Sequence, residues 1–221
     1  MKLHRDASDS LLASTLSQFT GEIFQRPPLK SAVKRRLRIR RVYAIELLER
    51  EGRYVLLKVL CEAGTYIRKL VHDIGEAMGT GAHMVELRRT QVGPLTEEKG
   101  LTTLHYLEYA VKKWRESSDD THLRRAVIPM EEALSHLPRM YVKDTAVNAV
   151  CYGADLGVPG ICKLTKGIKR GDLVTIMTLK GEAVALAVAS LSTEEILERE
   201  YGRAAKTIRV LMDRDIYPRA W

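Results

Sequence analysis

Hydrophobic positions change their period several times along the chain, and each change predicts an element. Leu11, Leu12, Leu16 and Phe19 recur at helical spacing, with Asp9 or Ser10 placed to cap and Gly21 to stop. Residues 25–29 (QRPPL) must be extended, because paired prolines forbid helix and hold Arg26 out of the α region. Period two then sets in. Leu37, Ile39, Tyr43, Ile45 and Leu47 share one parity, and Arg36, Arg38 and Arg40 share the other. A strand with one apolar and one basic face is expected there, weakened at Arg41. Glu51-Gly52 predicts a hairpin turn into a second strand over Tyr54–Cys61.

Glu62-Ala63-Gly64 breaks that strand. A helix is expected from about Thr65, with Ile67, Leu70, Val71, Ile74 and Met78 on its inner face and Gly79 at its end. MVELRRTQVG reads as a further strand, and residues 101–114 as a helix with Leu104, Leu107 and Val111 on one side. Short helices are expected over 123–127 and 129–136. Beyond Leu137-Pro138 the elements shorten: a strand, a helix capped by Asp144, and the Gly- and Pro-rich YGADLGVPGI. Two β runs joined at Lys180-Gly181, an acidic helix (STEEILERE) and a last β run over 206–212 complete the chain. The class is α+β, with a boundary near 138 and a compact β barrel after it.

Composition narrows the partner more than the fold. The 221 residues carry 36 Lys and Arg against 28 Asp and Glu, a net charge of +8, which favours a polyanion. No apolar run approaches the roughly 18 residues of a spanning helix, and MKLHRDASDS has no signal-peptide core. A cytoplasmic protein with no membrane role is expected. Three scattered cysteines without a CxxC predict neither disulfide framework nor zinc site. His83 and His105 have no partner at metal-ligand spacing, and all six histidines read as non-ligands.

Three places carry candidate chemistry. Residues 30–41 hold seven basic side chains and no acid, among them Lys30, Lys34, Arg35, Arg36, Arg38 and Arg40. Arginines on alternate strand positions match a phosphate backbone and grip it bidentately, although a solvated sheet face has the same pattern. Gly64-Thr65-Tyr66-Ile67-Arg68 lies at a strand-to-helix junction. There an arginine can hold a carboxylate ionised, and a tyrosine can stack on a base or move a proton. On these residues alone, a packed tyrosine and a structural arginine are the favoured reading. Leu87-Arg88-Arg89-Thr90 is either a nucleic-acid-facing edge or a polar strand end. The loop with Gly153, Asp155, Gly157 and Gly160, near Lys163, Lys166, Lys169 and Arg170, is open enough to admit a nucleic-acid strand.

Taken together, QRPPLKSAVKRRLRIRR, AGTYIRKLVHDIGEAMGTGAHMVELRRTQVGP, GADLGVPGICKLTKGIKRGDLV and YPRAW resemble one family. It is the TruB-type pseudouridine synthase of box H/ACA ribonucleoproteins, the archaeal relatives of dyskerin. The resemblance implies the later part of a catalytic domain over residues 1–138, and a PUA pseudo-barrel that binds RNA over 139–221. It implies isomerisation of uridine to pseudouridine in rRNA or tRNA, with no cofactor and no metal. It implies as partners a guide RNA, a substrate rRNA or tRNA, and the small accessory proteins of the particle. Tyr66 matches the tyrosine at the target base, Arg68 the arginine paired with the catalytic aspartate, and Leu87 a wall of the uracil pocket. The basic stretch would line the RNA side, with Arg88 and Arg89. Gly153, Asp155, Gly160, Lys163, Lys169 and Arg170 would serve the PUA domain.

The family's nucleophilic aspartate stands in a GTLDP-type motif, and the 221 residues contain none. Asp6 and Asp9, in LHRDASDS, match a segment downstream of it. The chain is therefore expected to be N-terminally incomplete and inactive alone, with apolar faces exposed within residues 1–130. The alternative is a non-catalytic RNA-binding or scaffold subunit retaining the PUA domain.

Overall fold

The computed structural model describes residues 1–27, 36–98 and 100–219; Lys30, Lys34 and Arg35 lie outside the described residues. Packing divides the chain into two units, Met1–Arg88 and Arg89–Trp221, each with its own core.

The first unit is built on a five-stranded sheet. Its elements are β1 (Lys2–Leu3), α1 (Asp9–Gln18), β2 (Gly21–Gln25), β3 (Arg38–Glu51), β4 (Tyr54–Cys61), α2 (Ile67–Ala77) and β5 (Ala82–His83), with strand order β2-β3-β4-β1-β5. Ser8, not Asp9 or Ser10, caps α1: its hydroxyl accepts the Leu11 N–H at 3.2 Å. Leu12 and Leu16 are buried while Leu11 is exposed, and Gly21 opens β2 rather than ending the helix. Leu3, Leu12, Leu70 and Ile74 are fully buried, each contributing about 1.5–3 kcal/mol of apolar transfer.

The expected two-faced β3 forms, but its faces are not where the parity put them. Cross-strand partners run Val42 to Cys61, then Ala44 to Leu60, and later Leu47 to Leu57, then Glu49 to Leu56. Tyr43 and Leu48 are thus extra residues, and each bulge reverses the parity of the positions beyond it. Before the first bulge, Arg38 and Arg40 lie on the Val42 parity, half-shielded, while Leu37 and Ile39 are exposed. After it, Ile45 turns inward with Val59. The outer face shows Phe24, Ile39, Leu56 and Leu60 to solvent.

Gly75 lets α2 meet the strand after it. A Cβ there would lie 2.2 Å from the Ala82 backbone nitrogen, and the Gly75 carbonyl accepts N–H groups from Thr80 and Gly81 at 3.1 and 2.9 Å. The strand expected over MVELRRTQVG does not form at 84–90. Only Ala82–His83 and Gln91–Val92 pair, because Val85, Leu87, Arg88 and Arg89 are exposed without a neighbouring strand to complete a ladder.

The second unit starts with a small hairpin, β6 (Gln91–Val92) and β7 (Leu95–Thr96), and helices α3 (Leu104–Ser117), α4 (Thr121–Ala126) and α5 (Met130–Ala133). Thr103 caps α3, whose buried position is Ala110; Leu104, expected inside, is exposed. Glu131 accepts the Ala183 N–H at 2.9 Å and ties α5 to the β-rich remainder of the unit. That remainder is β8 (Arg139–Val142), α6 (Asp144–Cys151), β9 (Leu156–Gly157), β10 (Ile161–Leu164), β11 (Leu173–Thr178), β12 (Ala183–Ala189), α7 (Thr193–Glu198) and β13 (Arg203–Val210). The six strands order as β10-β8-β11-β12-β13-β9. Their core includes Met140, Val142, Val147, Ile168, Val174, Ile176 and Val184. Lys143, not Asp144, occupies the cap of α6. The β11–β12 hairpin turns at Lys180-Gly181 as expected, with Gly181 at φ +91°.

Among the described residues no helix is long and apolar enough to cross a membrane, and no group of three or more His, Cys, Asp or Glu is placed to hold a metal.

Candidate functional site

In the first unit the candidate site forms where β4 gives way to α2. Thr65 N–H and Oγ1 both donate to the Glu62 carbonyl, at 3.2 and 2.7 Å, closing a turn over Ala63 and Gly64. Gly64 takes φ +83°, a conformation that L side chains avoid. Glu62 locks the turn to β3: its N–H donates to the Arg41 carbonyl at 2.8 Å, and its carboxylate accepts the Arg41 N–H at 3.1 Å. The Arg40 guanidinium is 3.6 Å from the same carboxylate and lies against Gly64. Arg40 Nη1 donates to the Ile39 carbonyl at 2.9 Å, and its Nε is buried without a partner.

Tyr66 occupies the cap position of α2 in extended conformation (φ −88°, ψ 99°), and its side chain makes no capping bond. Its backbone is held by Gln25, the last residue of β2. Tyr66 N–H donates to Gln25 Oε1 at 3.0 Å, and Gln25 Nε2 donates to the Tyr66 carbonyl at 3.3 Å. Arg68 is the second residue of α2 and is exposed. Among the described residues Lys69 of that helix pairs with Asp73, and His72 Nδ1 stands 3.5 Å from the same carboxylate; neither contact uses Arg68. No acid stands in the first turn, so a carboxylate arriving there meets both a guanidinium and the positive end of the helix.

Leu87 and Arg88 lie beyond β5 in this unit and are exposed; Arg89 begins the second. Arg36 is exposed just ahead of β3. Asp6 and Asp9 are engaged by the β3–β4 hairpin. Arg53 donates to Asp6 at 2.9 and 3.2 Å, pulling that carboxyl below its usual range, and Arg50 bonds Asp9.

In the second unit the Gly-rich loop is fastened by Asp155. Its carboxylate accepts the Thr207 N–H at 3.0 Å and an Arg203 N–H at 3.3 Å. Gly153 has φ +91° with open space around it, whereas a Cβ on Gly160 would press on Ala146 at 3.2 Å. Lys163 lies 5.2 Å from the Tyr141 ring centre, and Lys169 is exposed. Arg170 is committed to Glu195, donating from Nε at 2.7 Å and again from Nη2. Sequence reasoning missed Gln25, which no spacing marks. It also missed a cleft of about 460 Å³ beside Gly153, lined by Cys151, Tyr152, Met212 and Arg214. Arg214 and Arg219 flank the Tyr152 ring at 4.9 and 5.4 Å, and Tyr152 Oη donates to Asp215 at 3.1 Å.

Comparison with known proteins covers nearly the whole chain. Residues 2–67 match the N-terminal domain of TruB family pseudouridylate synthases, and residues 68–135 the C-terminal domain of tRNA pseudouridylate synthase B. Residues 138–211 match the PUA domain. The first two matches meet between Ile67 and Arg68, at the start of α2. A probable tRNA pseudouridine synthase B of Methanosarcina barkeri is 52% identical over all 221 residues, and one of Pyrococcus horikoshii is 55% identical. The chain spans 65% and 66% of the length of these two relatives. A chain of a Cbf5–Nop10–Gar1 complex superposes with TM-score 0.89 at 55% identity, covering 99% of this chain and 66% of that one. A chain of an H/ACA RNP bound to a substrate RNA containing 2'-deoxyuridine gives 0.88 at 50%, covering 100% and 66%. With these matches running in order from residue 2 to residue 211, the chain belongs to the TruB family of pseudouridylate synthases and carries a PUA domain.

Proposed function

We propose that this chain is the RNA-holding and base-facing portion of a guide-RNA (box H/ACA) pseudouridine synthase acting in the cytoplasm. The reading divides it near residue 138 into a catalytic portion and a PUA portion. The observation that carries it is Tyr66 and exposed Arg68 together at the mouth of α2, whose first turn favours a carboxylate and holds no acid of its own.

The net reaction breaks the bond from ribose C1′ to N1 of uracil and makes one from C1′ to C5, while C5 loses a proton and N1 ends with one. An aspartate nucleophile serves this chemistry only while ionised, and Arg68 would keep it so. Tyr66 would face the extruded base, as stacking partner or as acceptor of the C5 proton, and Leu87 would wall the pocket. Extruding the base costs a few kcal/mol, which the basic surface offsets by gripping the backbone. The residues proposed for that grip are Arg36, Arg38, Arg40 and Arg88 in the first unit and Arg89 in the second, with Lys30, Lys34 and Arg35 of the same basic stretch of sequence. The PUA portion would hold the guide RNA through the loop of Gly153, Asp155 and Gly160 with Lys163 and Lys169, Arg170 being held to Glu195. Substrate rRNA or tRNA and accessory proteins, such as those in the Cbf5–Nop10–Gar1 complex, would complete the particle. No GTLDP-type motif lies within the 221 residues. These residues alone are therefore expected to turn over no uridine.

A second reading, an RNA-holding subunit without catalysis, is favoured by the self-contained core running from Met140 to Tyr217. Pseudouridine formation on a guide–substrate RNA pair, with and without the family's upstream segment supplied, separates the two. Product only with that segment supports the synthase portion. Tight, salt-sensitive binding without product in either case supports the holding subunit, and product from the 221 residues alone overturns the assignment of the nucleophile.

A further inference from the structure

Gln25 is buried to 2% exposure, one of four polar or charged side chains so deeply placed among the described residues. A buried primary amide costs several kcal/mol unless its donor and acceptor are both used. Here both are used on one residue. Gln25 Oε1 takes the Tyr66 N–H at 3.0 Å and Gln25 Nε2 serves the Tyr66 carbonyl at 3.3 Å, across 41 positions of sequence. The side chain thus acts like one rung of a β ladder on the residue that begins α2.

The first N–H groups of a helix have no partner inside it. Tyr66 is the cap and its side chain makes no capping bond, while its carbonyl already accepts the Leu70 N–H at 2.9 Å. Without Gln25 the Tyr66 N–H would lose its 3.0 Å acceptor at the end of the helix. Gln25 is itself fixed, because it closes β2 opposite Arg38 of β3. We infer that Gln25 is a positioning residue for Tyr66: it transmits the rigidity of the sheet to the tyrosine backbone and so fixes where the phenol stands. This rests on the role proposed above for Tyr66, and the Gln25 contact itself can be tested apart from that role.

Two measurements test it. In the chain as it stands, hydrogen exchange should find the Tyr66 amide protected at least about tenfold over those of Ile67 and Arg68. The protection should vanish in Gln25→Met, which keeps the volume and removes both bonds. In the synthase reconstituted with the upstream segment, Gln25→Met should lower kcat roughly 10- to 100-fold, with KM for substrate RNA within about twofold. An unprotected Tyr66 amide in the unaltered chain overturns the inference even if the variant fails to fold. Lost protection with unchanged kcat overturns it too, as does a rise in KM alone. Full turnover in Tyr66→Phe and Tyr66→Ala would overturn the proposed role of Tyr66 and this inference with it. That outcome differs from an unprotected amide, which leaves the role of Tyr66 intact.

Discussion

Arg170 and Glu195 meet through two parallel hydrogen bonds, Nε to Oε2 at 2.7 Å and Nη2 to Oε1, while the Ser192 N–H donates to the same carboxylate at 2.8 Å. The arginine bond first, then the backbone bond, hold Glu195 down at about 2 against its usual 4.5. A carboxyl with a depressed folded-state value stabilises the fold above its unfolded value and loses that contribution as pH falls through the folded one. In urea titrations, Glu195→Gln should therefore be less stable than the unaltered chain by a constant margin from pH 8 to about 5. The margin should shrink below that and disappear near pH 2. A margin undiminished at pH 2 would refute the pairing.

The same pair sorts the basic residues. Arg170 must abandon Glu195 to reach a phosphate, whereas Arg36 is exposed ahead of β3. Arg36→Ala is expected to weaken RNA binding and reduce the slope of log K against log salt by about one, the mark of a single lost phosphate contact. Arg170→Ala should change that slope by less than half as much. Equal changes would show that the ion pair opens on RNA.

Gly75 and Gly79 sit four residues apart and are needed for different reasons. A Cβ on Gly75 would strike the Ala82 nitrogen at 2.2 Å, whereas Gly79, at φ +69°, has nothing within 4 Å. Gly75→Ala should cost about 3 kcal/mol, the upper end for overpacking. Gly79→Ala should cost about 1 kcal/mol, from backbone conformation alone. Urea midpoints of the two variants check the order, and a reversal would disprove the close approach of α2 to the strand.

Stacking and proton transfer make different demands on Tyr66. In the reconstituted synthase, Tyr66→Phe keeps the ring and removes the hydroxyl. If Tyr66 accepts the C5 proton, kcat should fall by about 10²-fold or more with little change in RNA affinity. If it only stacks, Tyr66→Phe should be near normal and Tyr66→Ala impaired.

Much of this was legible in the sequence where local chemistry decides. The Glu51-Gly52 hairpin, the helix after the Glu62-Ala63-Gly64 break and the Lys180-Gly181 turn all form as glycine placement and helical spacing require. Parity in β3 misled, because a bulge leaves no mark in residue type: nothing in Tyr43 or Leu48 announces that it has no partner on β4. The strand expected near Leu87 failed for a related reason, since a strand needs a neighbour and alternation cannot supply one. At the candidate site the motif from Gly64 to Arg68 stood out, but Gln25 did not. A bond between side-chain amide and distant backbone depends on the closed sheet, which only the fold brings about.

The two extra residues of β3 have an evolutionary consequence. Removing Tyr43 alone would straighten the strand yet keep every pair with β4, because Val42 would still face Cys61 and Ala44 would still face Leu60, so that Ile45 would stay inward and Arg40 would stay by the Gly64 turn. A deletion of Tyr43 is thus neutral to the register, whereas a deletion at a paired position of either strand shifts every partner beyond it and exchanges their faces. Length in this hairpin can therefore drift one residue at a time at Tyr43 and Leu48, and a variant library of one-residue deletions should find these two the most forgiving interior positions of β3.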